Sequence, residues 1–168
     1  MKKLLVIAIM AVTAVAANAQ KYALIDMEYI LKNIPAYERA NEQLAQVSKR
    51  WQAEVEALGT EASTMYKNYQ NEVVFLSQEQ KQAKQDAIMQ KEKEAADLKK
   101  KYFGPEGELF KKRESLMSPI QDEIYNAVKE VSELRGYQLV IDRASDNGII
   151  FASPKIDISN EVLSKLGY

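Results

Sequence analysis

Residues 36–76 decide the fold, and they read AYERANEQLAQVSKRWQAEVEALGTEASTMYKNYQNEVVFL. This stretch contains no proline and a single glycine, Gly59. Its apolar and aromatic residues recur at steps of three and four, which is the period of one stripe along an α-helix. The stripe consists of Leu44, Val47, Trp51, Val55, Leu58, Ala62, Met65, Tyr69, Val73 and Leu76. A helix of about 40 residues is about 60 Å long, so the sequence predicts a long helix that needs a partner to cover its stripe.

The partner helix is predicted directly downstream. Ser77-Gln78-Glu79-Gln80 has the capping-box pattern, which starts a new helix after a reversal near Phe75–Ser77. The returning stretch carries a thinner apolar seam of Ala83, Ala87, Ile88, Ala95, Leu98 and Tyr102. Lys99-Lys100-Lys101 followed by Gly104-Pro105 then predicts the end of that helix. The two helices form an antiparallel hairpin in this interpretation.

A further helix is expected to run to Arg135. Glu106 and Glu108 favour an immediate restart after the glycine. Ser118-Pro119-Ile120-Gln121 is a second capping-box pattern, so we expect a break or kink there.

The two ends of the chain read as β-structure. Residues 22–27 and 137–142 are apolar runs typical of strands, and Asn147-Gly148 predicts a hairpin to a third strand, Ile149-Ile150-Phe151. After Pro154, Asp157 or Ser159 can cap a final amphipathic helix. A hairpin returns the chain to its origin, so the three strands can share one sheet.

We therefore predict an α+β fold: a small antiparallel β body completed by association between subunits, with a long projecting antiparallel α-helical, coiled-coil-like hairpin arm. The body comprises residues 20–35 and 136–168, and the arm comprises residues 36–135. Such a small sheet has two open edges and buries little apolar area, which favours association between subunits. Open edges alone do not fix the number of subunits.

Residues 1–19 are predicted to be a signal peptide. Lys2 and Lys3 precede the apolar run Leu4–Ala16, and Ala17-Asn18-Ala19 supplies a cleavage site. The alternative, a retained anchor, requires about 20 apolar residues, and this run is shorter. The mature protein is therefore expected to be exported.

Composition argues against several function classes. The chain has no Cys and no His, which removes disulfides, Cys nucleophiles, His bases and the usual zinc ligands. Without Lys2 and Lys3, 21 basic residues stand against 24 acidic ones, which is unfavourable for general nucleic-acid binding. No phosphate-binding loop or nucleophile elbow is present. We expect no enzyme activity, no cofactor, no metal and no nucleic acid partner.

The ends of the chain resemble one known family. Lys21-Tyr22-Ala23-Leu24-Ile25-Asp26-Met27, a long charged hairpin and Gly136-Tyr137-Gln138-Leu139-Val140-Ile141-Asp142 are similar to the Skp/OmpH pattern. Asp157-Ile158-Ser159-Asn160-Glu161-Val162-Leu163 resembles the closing helix of that family. The resemblance implies a homotrimeric, ATP-independent periplasmic chaperone whose arms surround a cavity for unfolded outer-membrane β-barrel proteins. A structural or adaptor coiled-coil protein of the cell envelope is the alternative.

Four groups of residues are candidate sites. The expected arm tip holds the client-binding candidates Tyr66, Tyr69, Val73, Val74, Phe75 and Leu76, whose alternative role is to pack the reversal. The trimer body candidates are Tyr22, Leu24, Leu139, Ile141, Ile149 and Phe151. A hinge that spreads the arm, or alternatively a static kink, is expected at Gly104, Pro105 and Gly107.

The fourth group is an electrostatic patch. Residues 81–113 contain ten Lys or Arg against six Asp or Glu. The patch candidates are Lys81, Lys84, Lys91, Lys99, Lys100 and Lys101. This excess could attract acidic clients, lipopolysaccharide or the membrane surface, and the alternative is an ordinary solvated helix face.

Overall fold

A computed structural model of the chain describes residues 21–145 and 148–168. The predicted signal peptide therefore lies outside the described residues, as do Asp146 and Asn147 of the predicted turn. The regular elements, in chain order, are β1 (Tyr22–Ile25), α1 (Met27–Lys32), α2 (Pro35–Glu72), a 3₁₀ turn (Val73–Phe75), α3 (Gln78–Phe103), α4 (Glu108–Arg135), β2 (Leu139–Asp142), a second 3₁₀ turn (Pro154–Ile156) and α5 (Ser159–Leu166).

The chain divides into two compact units. The first combines the described residues up to Ile34 with those from Asp122 onward, and we call it the body. The second is Pro35–Gln121, which we call the hairpin unit. The domain limits expected from the sequence stay a prediction.

The long helical hairpin predicted from the sequence is confirmed. Helices α2 and α3 contact each other through pairs whose numbers rise along α2 and fall along α3. Tyr102 contacts Glu54, Lys91 contacts Glu61 and Lys84 contacts Glu72. This order of contacts makes the two helices antiparallel.

Local sequence signals set the ends of both helices. Pro35 is the first residue of α2, where its missing N–H is not needed. The Ser77 hydroxyl accepts from the Gln80 N–H at 3.2 Å, and the Gln80 side chain accepts from the Ser77 N–H at 2.9 Å. This capping box starts α3, and the Gly104 N–H closes it by donating to the Lys100 carbonyl at 2.9 Å. The predicted reversal and helix stop are thus confirmed.

The break expected at Ser118-Pro119 does not form, while a kink at this place stays a prediction. Helix α4 runs without interruption from Glu108 to Arg135 with Pro119 inside it. Proline removes one helical hydrogen bond, the one to the carbonyl of Ser115. Both Ser115 and Pro119 are exposed, so water can satisfy that carbonyl. The buried stripe of α4 then continues on the same helix through Ile120 and Ile124.

The antiparallel body sheet was also wrong, because the two described strands are parallel. Tyr22 pairs with Leu139, and the register continues to Ile25 opposite Asp142. On its other side β1 forms a parallel bridge from Leu24 to Asp157. A short turn forces strands to be antiparallel, whereas a long helical connection leaves a parallel pairing open. The chain here has the long connection.

The third predicted strand does not form either, since residues 149–151 have no strand structure. The cause lies at the end of β2. There the Asp142 carboxylate accepts from the Ala144 N–H at 3.0 Å and from the Ser145 hydroxyl at 2.7 Å. This local Asx-type turn diverts the chain before a hairpin to β2 can close.

The apolar core of the body comes from elements far apart in sequence. Its members are largely or completely removed from water: Ala23, Leu24, Ile25, Ile30, Ile34, Ile124, Ala127, Val131, Ile158, Val162 and Leu163. Helices α4 and α5 each contribute one apolar stripe to this core, and α1 contributes Ile30. Strand β1 is the only buried strand of this core among the described residues.

Candidate functional site

The reversal of the hairpin exposes two large apolar side chains. Val74 is 77% exposed and Phe75 is 85% exposed, both in the 3₁₀ turn that follows α2. An apolar side chain with most of its surface in water contributes little to the stability of the monomer, because hydrophobic stabilisation scales with the buried area. These two residues are therefore the strongest binding candidates of the tip.

The other tip candidates differ in exposure, so some are accessible to a client and others pack within the hairpin. Tyr66 is 49% exposed on α2. Tyr69, Val73 and Leu76 are half-buried, and the Tyr69 hydroxyl accepts a hydrogen bond from the Gln85 side chain of α3 at 2.9 Å. Met89 of α3 was not among the client-binding candidates predicted from the sequence, and it is 65% exposed.

Two lysines of the predicted electrostatic patch are bound by acidic side chains. Lys84 Nζ lies 2.7 Å from Glu72, and Lys91 Nζ lies 3.3 Å from Glu61 and 3.1 Å from Glu94. The hydrogen bonds to Glu94 and then Glu61 raise the pKa of Lys91, and the bond from Lys91 lowers the pKa of Glu94. The charge of these two lysines is locally neutralised, so they add little to a cationic surface.

Of the other four candidates of the patch, Lys81 is half-buried at the start of α3 and three lie near the end of that helix. Lys99, Lys100 and Lys101 are exposed and form no ion pair within the described part of the chain. The Lys101 ammonium lies 5.7 Å from the centre of the Tyr102 ring. This lysine triplet is the densest group of unpaired cations in the span 81–113, and Lys93 and Arg113 are further exposed cations with no ion pair among the described residues.

One aromatic pair holds the middle of the hairpin. The rings of Trp51 and Tyr102 stack with their centres 4.6 Å apart and their planes 6° apart. The Tyr102 hydroxyl donates to Glu54 at 2.6 Å, and this bond raises the pKa of Tyr102. Trp51 thus packs inside the hairpin, as its place on the stripe predicted.

The turn between α3 and α4 is closely packed. The Gly107 N–H donates to the Gly104 carbonyl at 2.9 Å, and the Lys111 N–H donates to the Gly107 carbonyl at 3.1 Å. A Cβ at Gly107 would lie 2.8 Å from the Tyr102 carbonyl oxygen, and one at Gly104 would collide with the Lys100 carbonyl. Both positions require glycine because neighbouring backbone occupies the side-chain space. Whether this turn acts as a hinge stays a prediction.

The body contains a polar network that joins three segments. Arg143 contacts Asp26 at 3.1 Å and Asp157 at 3.4 Å. The Ser159 hydroxyl accepts from the Asp26 N–H at 2.8 Å and donates to Asp157 at 2.6 Å. The network fastens the beginning of α5 to the end of β1, which explains the pattern Asp157-Ile158-Ser159 in physical terms. Sequence reasoning missed Arg143.

Asp142 is a second polar anchor of the body. Burial of its carboxylate would raise its pKa, but hydrogen bonds from the Met27 N–H, the Ser145 hydroxyl and nearby backbone N–H groups outweigh burial. The result is a lowered pKa. The anion thus fixes the first turn of α1 to the end of β2.

The predicted trimer residues of the body differ in exposure. Leu24 is buried inside the unit, and Ile141 and Ile149 are half-buried. Tyr22, Leu139 and Phe151 are exposed, with Phe151 84% exposed. Its neighbour Ile150, which was not among the candidates, has no cover at all.

The described residues contain neither a membrane-spanning helix nor a metal-binding cluster. Across residues 21–145 and 148–168, no helix has the length and apolarity needed to cross a bilayer. In the same residues, no cluster of three carboxylate, thiol or imidazole side chains could hold a metal ion.

Comparison with known proteins then identifies the family. A family model described as "Outer membrane protein (OmpH-like)" matches residues 21–166. The chain belongs to the OmpH-like family. This confirms the resemblance seen at the two ends of the sequence.

A curated OmpH-like relative is "Chaperone protein Skp" from Yersinia enterocolitica. It is 26% identical over 153 residues, which cover 90% of this chain and 88% of the relative. A crystal structure from Caulobacter crescentus CB15, described as an OmpH-like outer membrane chaperone, matches with a TM-score of 0.70. That match has 13% identity and covers 86% of this chain and 82% of the other, so it shows a shared fold. The family thus supports a chaperone role and is not an enzyme class.

Proposed function

We propose that this OmpH-like protein is an ATP-independent holdase of the periplasm that binds unfolded outer-membrane β-barrel proteins and prevents their aggregation. The observation that carries the proposal is the exposed apolar pair Val74 and Phe75 at the reversal of a helical hairpin. A holdase needs apolar contacts that are accessible and individually weak, so that a client can leave without nucleotide hydrolysis. Exposed large apolar residues in a polar surrounding supply such contacts.

The proposal includes a homotrimer with the client in a cavity between three hairpins. The exposed apolar residues Tyr22, Leu139, Ile150 and Phe151 of the body support a subunit contact. The body sheet has only two described strands, and an outer edge of β2 is free to pair. Association would cover these side chains and this edge together.

The leader-like residues 1–19 support the periplasmic location included in the proposal. The exposed lysine triplet Lys99–Lys101 is the proposed contact for acidic client segments, with lipopolysaccharide or a membrane surface as weaker partners. Such a contact is long-range and screened by salt. Apolar contact at the tip is not screened, so ionic strength separates the two contributions.

The test is aggregation suppression of a urea-unfolded outer-membrane barrel after dilution, together with a native mass measurement of the chaperone. We expect a trimer that keeps the barrel soluble at equimolar trimer. The double variant Val74→Ser, Phe75→Ser should remain a trimer and lose most of this activity. If the variant trimer suppresses aggregation as well as the unaltered protein does, the tip is not part of the binding surface. If the unaltered protein does not suppress barrel aggregation at all, the proposal is refuted.

The alternative function is a structural or adaptor coiled-coil protein of the envelope. It also uses a long hairpin, and the exposed body residues would then dock a different envelope component. The same experiment separates the two functions, since an adaptor has no reason to hold unfolded barrels in solution.

A further inference from the structure

The outer half of the hairpin has a seam with identifiable positions on both helices. On α2 the seam positions are Ala62, Met65 and Tyr69, which are buried or half-buried. On α3 they are Lys81, Lys84 and Ile88, which are also buried or half-buried. Lys84 bonds Glu72 and Gln85 bonds Tyr69, so these two segments face each other at the same level.

One stripe on each helix lies a single residue after these seam positions. A step of one residue turns an α-helix by about 100°, and because the helices are antiparallel the same step on both leads to the same side of the hairpin. All six positions are exposed and none carries a charge. We call this surface the uncharged face, and its residues are Ser63, Tyr66, Gln70, Gln82, Gln85 and Met89.

The opposite side of the hairpin carries the ion pairs. Glu61 lies one residue before the seam position Ala62, which is the step in the other direction, and it binds Lys91. Lys91 in turn binds Glu94, and closer to the middle Glu54 binds the Tyr102 hydroxyl. The carboxylates of these contacts, Glu54, Glu61 and Glu94, each lie one residue before a seam position, so the acidic partners lie on the side away from the uncharged face.

The uncharged face offers two kinds of contact. Tyr66 and Met89 are 49% and 65% exposed and can cover apolar side chains. Carboxamides donate and accept hydrogen bonds without the desolvation cost of an ion. Gln82 donates to Asp86 at 2.8 Å and Gln85 donates to Tyr69, which orients both amides and leaves their carbonyl oxygens as acceptors.

We propose that the uncharged face is where extended, uncharged segments of the client lie, an inference that rests on the proposed holdase function. Transmembrane β-strands alternate apolar and polar side chains, and an unfolded strand also has unpaired backbone N–H and C=O groups. Apolar side chains of such a segment would contact Tyr66 and Met89, and its backbone would bond the carboxamides of Gln70 and Gln85. Selectivity for sequence is low because peptide groups are common to all clients.

Two other occupants fit less well. A helix from a second copy would require an apolar contact stripe, and only two of the six positions are apolar. An anionic membrane surface would require Lys or Arg, which the face lacks. An extended peptide is the partner that uses both the amides and the apolar residues.

The experiment places the same charges on the two sides of α2. Face variants are Ser63→Lys with Gln70→Lys, and Ser63→Glu with Gln70→Glu. Control variants are Thr64→Lys with Asn68→Lys, and Thr64→Glu with Asn68→Glu. Thr64 and Asn68 are exposed, uncharged and helical, and each lies one residue before a seam position. Affinity for a fluorescently labelled unfolded barrel is measured for all four variants at about 0.15 M salt, with circular dichroism and Trp51 fluorescence verifying the hairpin.

We expect both face variants to bind the barrel about tenfold more weakly whatever the sign of the charge, because an ion must lose water to accept a neutral peptide. Control variants should differ from the unaltered protein by about twofold or less, in directions set by client charge. Equal affinities for face and control variants would overturn the inference, as would opposite effects of Lys and Glu on the face. An unaltered protein that binds no barrel would instead refute the holdase function itself.

Discussion

The body and the hairpin unit are stabilised in different ways. Ile30, Ile124, Ile158 and Val162 of the body are essentially free of solvent contact, and a part-buried polar network surrounds them. The outer half of the hairpin has only Ala62 and Ile88 as buried apolar residues among those described, and its cross-helix contacts are exposed ion pairs and amide bonds. The body is thus built for stability, whereas the hairpin keeps apolar and amide groups accessible at the cost of a thin seam.

Truncating one isoleucine in the body core and one in the hairpin seam should give the largest difference in stability between the two units. Ile158→Ala leaves a cavity in a closed core and should lower the free energy of unfolding by about 3 kcal/mol. Ile88→Ala removes the same atoms from a seam open to water and should cost about half as much. Urea denaturation followed by circular dichroism, at one fixed protein concentration, measures both. Equal losses would contradict the difference in packing.

Two glycines should respond to alanine with opposite signs. At Gly107 a Cβ would lie within 2.9 Å of three backbone atoms, so Gly107→Ala should lower stability by about 1–3 kcal/mol. At Gly59, inside α2, a Cβ would meet nothing within 4 Å, so Gly59→Ala should raise stability by about 0.5–1 kcal/mol. Thermal melts of the two variants provide the measurement. A Gly107→Ala protein as stable as its parent would show that the turn can relax, which a hinge requires.

A smaller, pH-dependent effect should separate the polar contacts of the two units. The pKa of Asp142 is lower in the folded protein, so its contribution is present above the unfolded value near 3.9 and is lost as pH falls through the folded pKa. Because the carboxylate is only part-buried and solvent screens its contacts, Asp142→Asn should cost no more than about 1 kcal/mol at pH 7 and progressively less below about pH 4. The test is to measure unfolding curves of the parent and the variant from about pH 7 down to below about pH 4.

The matched hairpin change is Glu72→Gln. Both side chains of the Glu72–Lys84 pair are about half exposed, so its removal should change stability by less than about 0.5 kcal/mol and even less at high salt. An acid-dependent loss as large as that of Asp142→Asn would mean that the hairpin depends on its ion pairs.

Sequence reasoning succeeded where local signals acted alone. Helical periodicity, Pro35, the Ser77–Gln80 capping box and Gly104 each act over one or two turns, and together they gave the hairpin and its ends. Sequence reasoning failed where contacts between distant parts of the chain determined the structure. Strand direction depends on a long connection. At the end of β2 the Asp142 carboxylate also accepts from the distant Met27 N–H, a contact that no local pattern shows.

The candidate site shows the same division. Periodicity indicated that the tip carries more apolar surface than one stripe can hide, and Val74 and Phe75 are indeed exposed. It could not tell which lysines of the patch are free, because Glu61 and Glu72 reach Lys91 and Lys84 from the other helix. The uncharged face had a detectable signal, the three- and four-residue spacing of polar uncharged residues beside the seam, but only paired helices reveal that two such stripes lie together.

The stacked pair Trp51 and Tyr102 at the middle of the hairpin provides an intrinsic fluorescence probe of the contact between the two helices. Trp51 is the only tryptophan of the chain, and its ring lies flat against Tyr102 of the other helix. Emission excited at the red edge of indole absorption therefore comes from a single site whose surroundings change when the two helices part. Client binding and separation of the two helices can be followed by Trp51 fluorescence in the unlabelled protein. Because the chain has no cysteine, a single introduced cysteine can carry a second dye at a chosen position.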